Sequence, residues 1–446
     1  MQEQSKPVAV ITIASANYVP YVETLMQSVK NSNPDYRRYF VIVDKCERDE
    51  IENEDLFEII EAEELGIDVF DDMTIRYDVM ELNTAIKPFA IEWLFENTDA
   101  KTVIYLDPDI RVYRPLHELE ATLNRGASVV VTPHITAPLE DGRTPDDHSM
   151  LQAGVFNLGF IAVRDVPESR AFIAWWGRRL KDACHADFAR NLFTDQRWID
   201  LAPCFLADLS VLRSPAYNVA YWNLMQRPIT SSGKKVRFGG EDLAFFHFSG
   251  LQADKPTVVS KHQDRLSWED IKPLHRLFKD YREELTANGW RSQRSRPYHY
   301  DRADELKISP VVRQLYRDLY PSSRKDVRRS RSFLLAMCNQ PAGPDVDPSN
   351  RLTRLMYKVY RDRPDLQAAF PLQSPEGVSG MVAWFEASAE REYGLDPRFV
   401  HPSRGETTLE LQGSLPPFAI PPGPNHGKPW HYRQWRKTRK WLIERI

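Results

Sequence analysis

Apolar positions in the first 270 residues fall in short, nearly unbroken blocks separated by stretches of helical spacing. Val8 to Ala14 is β-branched and almost continuously apolar, the pattern of a strand buried on both faces. Val19 to Lys30 follows, with Tyr21, Leu25, Met26 and Val29 on one helical face. Tyr39–Asp44, Phe57–Ala62 and Thr102–Leu106 are further buried strands, with a helix around Phe89–Phe95 between the last two. Ser128–Thr132 and Val155–Val163 add two strands, and Ser169–Cys184 a helix carrying Phe172, Trp175 and Trp176. Strands alternating with helices predict a parallel α/β sheet, in which ligands bind beyond the carboxyl ends of the strands. Asn17, Asp44 and Asp107 all fall at such ends.

The pattern changes after about residue 270. Leu352, Leu355, Met356, Val359 and Tyr360 mark an amphipathic helix, and Val382–Tyr393 another that Gly394 closes. The spacing predicts three regions: an α/β domain over 1–270, a helical domain over 290–410, and a tail over 411–446. In the tail, Pro416–Pro424 is a Pro-rich linker. His426–Ile446 is basic, with Trp430, Trp435 and Trp441. A basic helix with a tryptophan-rich side suits an anionic membrane surface; docking of the same aromatics on the α/β domain is the competing reading.

Composition narrows the function classes. At 446 residues, 42% hydrophobic and 27% charged, the chain has the profile of a globular protein, and a net charge of −4 argues against general nucleic-acid affinity. Cys46, Cys184, Cys204 and Cys338 form no C-x-x-C pair, so neither a zinc cluster nor a disulfide framework is expected, and the usage fits a reducing cytoplasm. No apolar run approaches the length of a membrane span.

The strongest local chemistry is Asp107-Pro108-Asp109, directly after the strand Thr102–Leu106. Residues i and i+2 of an extended chain share a side, so two carboxylates face one way and a dication would relieve their repulsion. His247 stands in Phe245-Phe246-His247-Phe248-Ser249-Gly250, with Lys255-Pro256 beyond. A lone histidine among aromatics is ordinarily a satisfied core residue. The Ser-Gly and the lysine give it a second reading, as part of a lid over a diphosphate. Asp195-Gln196 reads as a helix start, with Thr194 as the capping residue and Asp195 in the first turn. Asn157 and Gly159 interrupt an apolar strand, so Asn157 needs a polar partner and a bulge or an edge is expected there.

Taken in order, these segments resemble the retaining glycosyltransferases of the GT-A fold, the glycogenin-like family 8 and its bacterial relatives in surface-polysaccharide synthesis. Ala14–Tyr18 resembles their nucleotide-binding loop, Tyr105–Asp109 their Y-L-D-x-D metal motif, and Phe156–Gly159 their F-N-x-G strand. Asp195-Gln196 resembles their D-Q pair, and His247–Pro256 their H-x-x-G…K-P closing motif. The spacing to Lys255 is longer than the pattern, Thr257 stands where a tryptophan is usual, and Arg197 follows the D-Q pair. The resemblance covers about residues 7–265. It implies a Rossmann-like, nucleotide-sugar-binding GT-A domain with a mainly α-helical domain after it.

The resemblance further implies Mn2+, with Mg2+ as the alternative, held by Asp107, Asp109 and His247. Ala14, Asn17, Tyr18, Asp44, Lys87, Asp107 and Lys255 would surround a nucleoside-diphosphate sugar, expected to be a UDP-sugar. Asn157, Asp195 and Gln196 would face the sugar and the anomeric carbon. The acceptor would be a glycan or a lipid-linked hydroxyl, and the place of work the cytoplasm or the inner membrane surface. An inverting GT-A transferase and a non-catalytic sugar-nucleotide scaffold are the rival expectations.

Overall fold

The computed structural model describes residues 7–45, 51, 54–232, 235–342 and 351–401. Nine strands position the site. They are β1 (Val8–Ala14), β2 (Arg37–Ile42), β3 (Glu58–Glu61), β4 (Thr102–Leu106), β5 (Ile110–Val112), β6 (Val129–Pro133), β7 (Phe156–Arg164), β8 (Leu209–Val211) and β9 (Phe245–His247). Seven of them form one sheet in the order β8-β6-β7-β4-β1-β2-β3. The expected buried blocks are these strands, and β1 and β4 match the expected bounds residue for residue. Their apolar runs are continuous because the sheet is covered on both faces. The helices Val19–Ser32, Lys87–Asn97 and Pro167–Leu180 also lie where the spacing puts them. The α/β class expected from the sequence is therefore the class of the structure.

The sheet is not purely parallel, which corrects the simplest reading of the pattern. β4-β1-β2-β3 are parallel, as are β6 and β8, but β7 runs antiparallel to both β4 and β6. Strand direction leaves no mark on a run buried on both faces, so the reversal is silent in the sequence. Its consequence is positional. The first residues of β7 lie beside the last residues of β4, with Phe160 opposite Leu106. The bulge considered for this strand is present: between the pairs Val131–Ile161 and Pro133–Phe156 the β6–β7 register shifts, and the extra residues, Asn157 and Gly159 among them, lie in β7.

The described residues pack as two units. One comprises 7–66 and 83–298, the other 67–82 and 299–401. The helical unit thus contains a segment from far upstream in the chain. Its core gathers Ile75 with Leu315, Leu334, Leu355, Val359, Met381, Phe385 and Phe399. The helix Arg354–Arg361 buries Leu355, Met356 and Val359, and Thr353 caps it by accepting the Met356 N–H at 3.3 Å. The last long helix, Pro375–Tyr393, begins earlier than its periodicity suggests and ends at Gly394, whose φ is +59°. Its two glycines look like breakers but are packing devices. A Cβ on Gly377 would lie 2.0 Å from the Pro371 carbonyl oxygen, and one on Gly380 2.8 Å from the Phe370 ring. The Pro-rich linker and the basic tail lie outside the described residues. No helix among the described residues is long and apolar enough to cross a membrane.

Residues 67–82 are tied to their unit by a buried ion pair. Arg76 Nε donates to Asp72 at 2.8 Å, and Arg76 also donates to the carbonyls of Tyr320 and Ser322. The Tyr316 hydroxyl and the Arg324 N–H complete the shell of Asp72. Removing one member leaves the other charge buried and unpaired, at a cost of about 3–5 kcal/mol. Asp72→Ala should therefore destabilise the helical unit in urea by that amount. Joint replacement, Asp72→Leu with Arg76→Met, should cost less than Asp72→Ala alone. Equal losses for the single and double variants would show that the pair does not anchor the segment.

Candidate functional site

β4 delivers Asp107 at the carboxyl edge of the sheet, and the chain turns there, with the Ile110 N–H bonded to the Asp107 carbonyl at 3.1 Å. It then enters β5, which pairs antiparallel with β9 and sets His247 opposite Ile110. The Phe248 N–H donates to the Asp109 carbonyl at 2.9 Å and the His247 N–H to the Val219 carbonyl at 2.8 Å. This two-stranded ribbon brings a histidine from 138 residues downstream against the acidic pair. His247 Nε2 lies 3.0 Å from Asp109 Oδ1 and 3.6 Å from Asp107 Oδ2. One ligand atom from each of the three side chains fits within 4.8 Å of the others. The Tyr105 hydroxyl donates to Asp107 Oδ1 at 2.6 Å.

The charges fit a cation site. Burial raises the Asp107 carboxyl and the Asp109 charge raises it again, against the opposing pull of Lys87 and His247. Burial works against the His247 imidazolium, yet the two carboxylates outweigh it and hold its pKa above the ordinary histidine value. The two carboxylates thus call for positive charge beside them, a role open to the imidazolium. A divalent cation would take over that role once Nε2 gives up its proton, and oxygen donors with one imidazole suit Mn2+ or Mg2+.

β7 makes the room for this arrangement. The Asp107 N–H donates to the Gly159 carbonyl at 2.8 Å. A Cβ on Gly159 would lie 2.4 Å from His247 Cε1 and 2.6 Å from His247 Nδ1. Glycine here is a requirement of close approach. The Trp222 ring meets the imidazole edge-on, with centroids 5.2 Å apart. Asn157, whose amide needed a partner inside the strand, finds three. Its Oδ1 accepts from the Gly159 N–H and from Asn218 Nδ2, and its Nδ2 meets His134 Nε2.

A second group lies beside the first. The Lys87 ammonium is 2.6 Å from Asp195 Oδ2, 2.8 Å from the Leu158 carbonyl and 4.0 Å from the centre of the Tyr105 ring. Lys87 is almost fully buried. Where the sequence suggests a phosphate contact, the ammonium is turned inward onto Asp195. Gln196 spans from the Ala153 carbonyl to the Leu158 N–H. The helix after Asp195 starts at Gln196, with Asp195 at its N-cap and no side-chain cap. Thr194 is not the capping residue: its φ is +48°, a region that a β-branched side chain rarely enters, and its hydroxyl donates to Asp195 Oδ1. Strain of this kind persists where surrounding structure fixes the conformation. Here Thr194 is held by its N–H bond to the His185 carbonyl, and Asp195 by the Trp176 indole bonded to its carbonyl.

Ala14, Asn17, Tyr18 and Asp44 follow β1 and β2 at the same sheet edge. Ala14 and Asp44 are buried, and Asp44 Oδ1 accepts the Lys45 N–H at 2.9 Å. Tyr18 stacks on Tyr21 with centroids 4.7 Å apart. The ring is exposed at the surface, yet desolvation by its neighbours, then the charges of Asp109 and Asp107, push its phenol up to about 12. Lys255 is exposed beside Asp254. Lys261 is the lysine whose charge couples to Asp109. Its N–H bonds to the Gly250 carbonyl at 3.0 Å. Gly250, at φ +71°, has the His262 ring where a Cβ would stand, so the chain doubles back closely on itself there. Sequence reasoning missed Lys261, His134 and Asn218. The motif spacing pointed to Lys255, and the other two carry no signal apart from their place after β6 and before β9.

No protein-family model matches the chain. Two uncharacterised proteins of Bacillus subtilis (strain 168) are similar to it. YfnF is 24% identical over 214 residues, 46% of this chain and 67% of YfnF. YfnD is 24% identical over 189 residues, 41% of this chain and 57% of YfnD, so this chain spans little more than half of that relative. Among solved structures, the galactosyltransferase LgtC in complex with donor and acceptor sugar analogues has a TM-score of 0.40 and 14% identity, covering 64% of this chain and 99% of that one. The glycosyltransferase GlyE of Streptococcus pneumoniae TIGR4 has a TM-score of 0.36 and 16% identity, covering 68% of each.

Two outcomes follow from the geometry. Gly159→Ala should push His247 away from the carboxylates and weaken Mn2+ binding by at least about tenfold, with an overpacking loss of about 1–3 kcal/mol in stability. Unchanged Mn2+ affinity in calorimetry would contradict the close-approach argument. The second is a pH dependence. A cation needs the neutral ring, and the neighbouring carboxylates raise the His247 pKa. Mn2+ affinity should therefore climb with pH through a range above that of an ordinary histidine and then level off. Titrations in two buffers of different ionisation heat should report proton release below the plateau.

Proposed function

We propose that this chain is a metal-dependent glycosyltransferase that moves a sugar from a nucleoside diphosphate, a UDP-sugar in the first instance, to an acceptor hydroxyl. One observation carries the reading. Asp107 and Asp109, at the carboxyl end of a central strand, meet His247 from a distant strand in a cluster that fits one cation. The order of the motifs along the chain, set out above, supports the same reading.

Asp107, Asp109 and His247 would hold the cation, which supplies positive charge to the diphosphate as the glycosidic bond breaks. Lys261 lies on the loop that folds back toward Asp109 and would add its charge to the same leaving group. One charge pair at 4 Å is worth about 4 kcal/mol at an effective dielectric near 20, or roughly two to three powers of ten in rate. Asp195, held by Lys87 and Thr194, would present its carboxylate at the anomeric centre and support oxocarbenium character there. Retention of configuration and a role in bacterial surface-glycan synthesis extend the resemblance. The basic, tryptophan-rich segment His426–Ile446 would bring the enzyme to an anionic membrane that carries a lipid-linked acceptor.

The direct test is a screen of sugar nucleotides for Mn2+-dependent hydrolysis, with product stereochemistry read by NMR. Asp107→Ala and Asp109→Ala should each abolish turnover with the fold intact. Full activity of either variant in EDTA would rule the reading out. Asp195→Ala should lower kcat at saturating donor with little change in nucleotide affinity. The opposite split would move Asp195 from the sugar to the nucleotide. For the membrane role, the full chain should sediment with anionic liposomes at low salt, and a chain ending at Pro424 should not.

A further inference from the structure

We infer that Asn218 is a positioning residue for the cation site: it holds the His247 ring with Nδ1–H toward its own oxygen, so that Nε2 is the nitrogen that a cation between the ring and the carboxylates would take. The inference rests on the metal-site reading above and adds to it a residue to which the sequence reading assigns no role.

The assignment follows from a chain of buried hydrogen bonds whose direction is set at one end. The anchor is the backbone N–H of Gly159, which can only donate. It lies 3.1 Å from Asn157 Oδ1, so that atom must be the amide oxygen. With its oxygen thus placed, Asn157 turns its NH2 to His134 Nε2 at 3.2 Å. His134 can accept there, because burial lowers its pKa to about 4 and keeps the ring neutral. Asn157 Oδ1 also receives Asn218 Nδ2 at 3.0 Å, and Asn218 Nδ2 gives its other proton to Thr132 Oγ1 at 2.8 Å. Both amide protons of Asn218 are then used, and its Oδ1 faces His247 Nδ1 at 3.3 Å. A carbonyl oxygen only accepts, so Nδ1 carries the proton. Nε2, 3.0 Å from Asp109, is the nitrogen available to a cation.

The backbone is arranged to hold this chain in place. Asn218 is fully buried and sits at φ +47°, a conformation that asparagine tolerates better than most residues. The next residue, Val219, accepts the His247 N–H at 2.8 Å, so both ends of the Asn218–His247 contact are fixed by main chain. Asn223 Nδ2 donates to the Asn218 carbonyl at 3.0 Å. The other tautomer of His247 would set a bare Nδ1 against the Asn218 oxygen and an N–H against any bound cation.

The test uses the full chain with 15N-labelled histidine. In metal-free protein at alkaline pH, long-range 1H–15N correlations of His247 should show the proton on Nδ1. Two substitutions suit the left-handed backbone. Asn218→Gly removes the acceptor and should give a mixture of tautomers and a roughly 10- to 100-fold loss of Mn2+ affinity by calorimetry. Asn218→Asp keeps an acceptor for Nδ1 but meets the Asn157 oxygen unfavourably. It should melt lower than wild type, yet keep the Nδ1 proton and Mn2+ affinity within a few-fold. A merely structural Asn218 would make affinity follow stability, with the aspartate variant as impaired as the glycine variant, and that result would overturn the inference. So would a wild-type His247 protonated on Nε2 alone. Asp109→Ala separates the two levels of the argument. If it binds Mn2+ like wild type, the metal site itself is misplaced. If it fails to bind while Asn218→Gly binds normally, the site stands and the role of Asn218 falls.

Discussion

The hydrogen bond from the Asp107 N–H to the Gly159 carbonyl, at 2.8 Å, joins the end of one central strand to the start of its antiparallel neighbour. It exists because β7 runs against β4. With β7 parallel, its first residues would sit at the far edge of the sheet, and Asn157 and Gly159 would be nowhere near the acidic pair. Reversal sets a side-chain-free residue beside the two carboxylates, and His247 occupies the space. The cluster therefore depends on three strands of different sequence distance: β4 for the acids, β7 for the gap, and β9 for the imidazole. A local change in any one should be felt as a change in the position of His247.

The polar groups around the cluster divide into two systems with little freedom. On one side, Tyr105 links Asp107 to Lys87, and Lys87 to Asp195, through a hydroxyl bond, a cation–π contact and an ion pair. On the other, His247 leads through Asn218 and Asn157 to His134. Buried networks of this kind hold one geometry only when each member is satisfied. The first system carries charge from the sheet edge toward Asp195. In the second, the two asparagine amides and His134 are neutral and control orientation.

Much of this was legible in the sequence, and what was not has physical causes. Strand blocks are visible because burial on both faces demands continuous apolar runs, and Asp107-Pro108-Asp109 stands out because acids end such a run abruptly. The direction of β7 leaves no trace in composition, and hence neither does the meeting of Asn157 with His134 and Asn218. Lys87 was readable as a basic residue ahead of the acids, but its inward turn onto Asp195 depends on tertiary packing. The assignment of residues 67–82 to the helical unit was equally hidden, since its short helix Phe70–Arg76 looks like any connector of an α/β chain.

The F-N-x-G segment shows why motif and role need separate arguments. Its asparagine is engaged within the protein at three points: the oxygen takes two donors and the amide gives one of its two protons to His134. For Asn157 to bind a sugar through its oxygen, at least one of these bonds would have to break, leaving Asn218 or the Gly159 N–H unsatisfied in a buried place, whereas its second amide proton could reach a ligand without such a loss. An unmet buried polar group costs about 1–3 kcal/mol, comparable to what one sugar hydroxyl bond would return. The present geometry instead favours an indirect role, in which the asparagine orients Asn218 and the glycine admits His247. On that account the spacing between the two residues is set by the imidazole, with Asn157 and Gly159 on the same face of β7 because residues two apart in a strand project the same way.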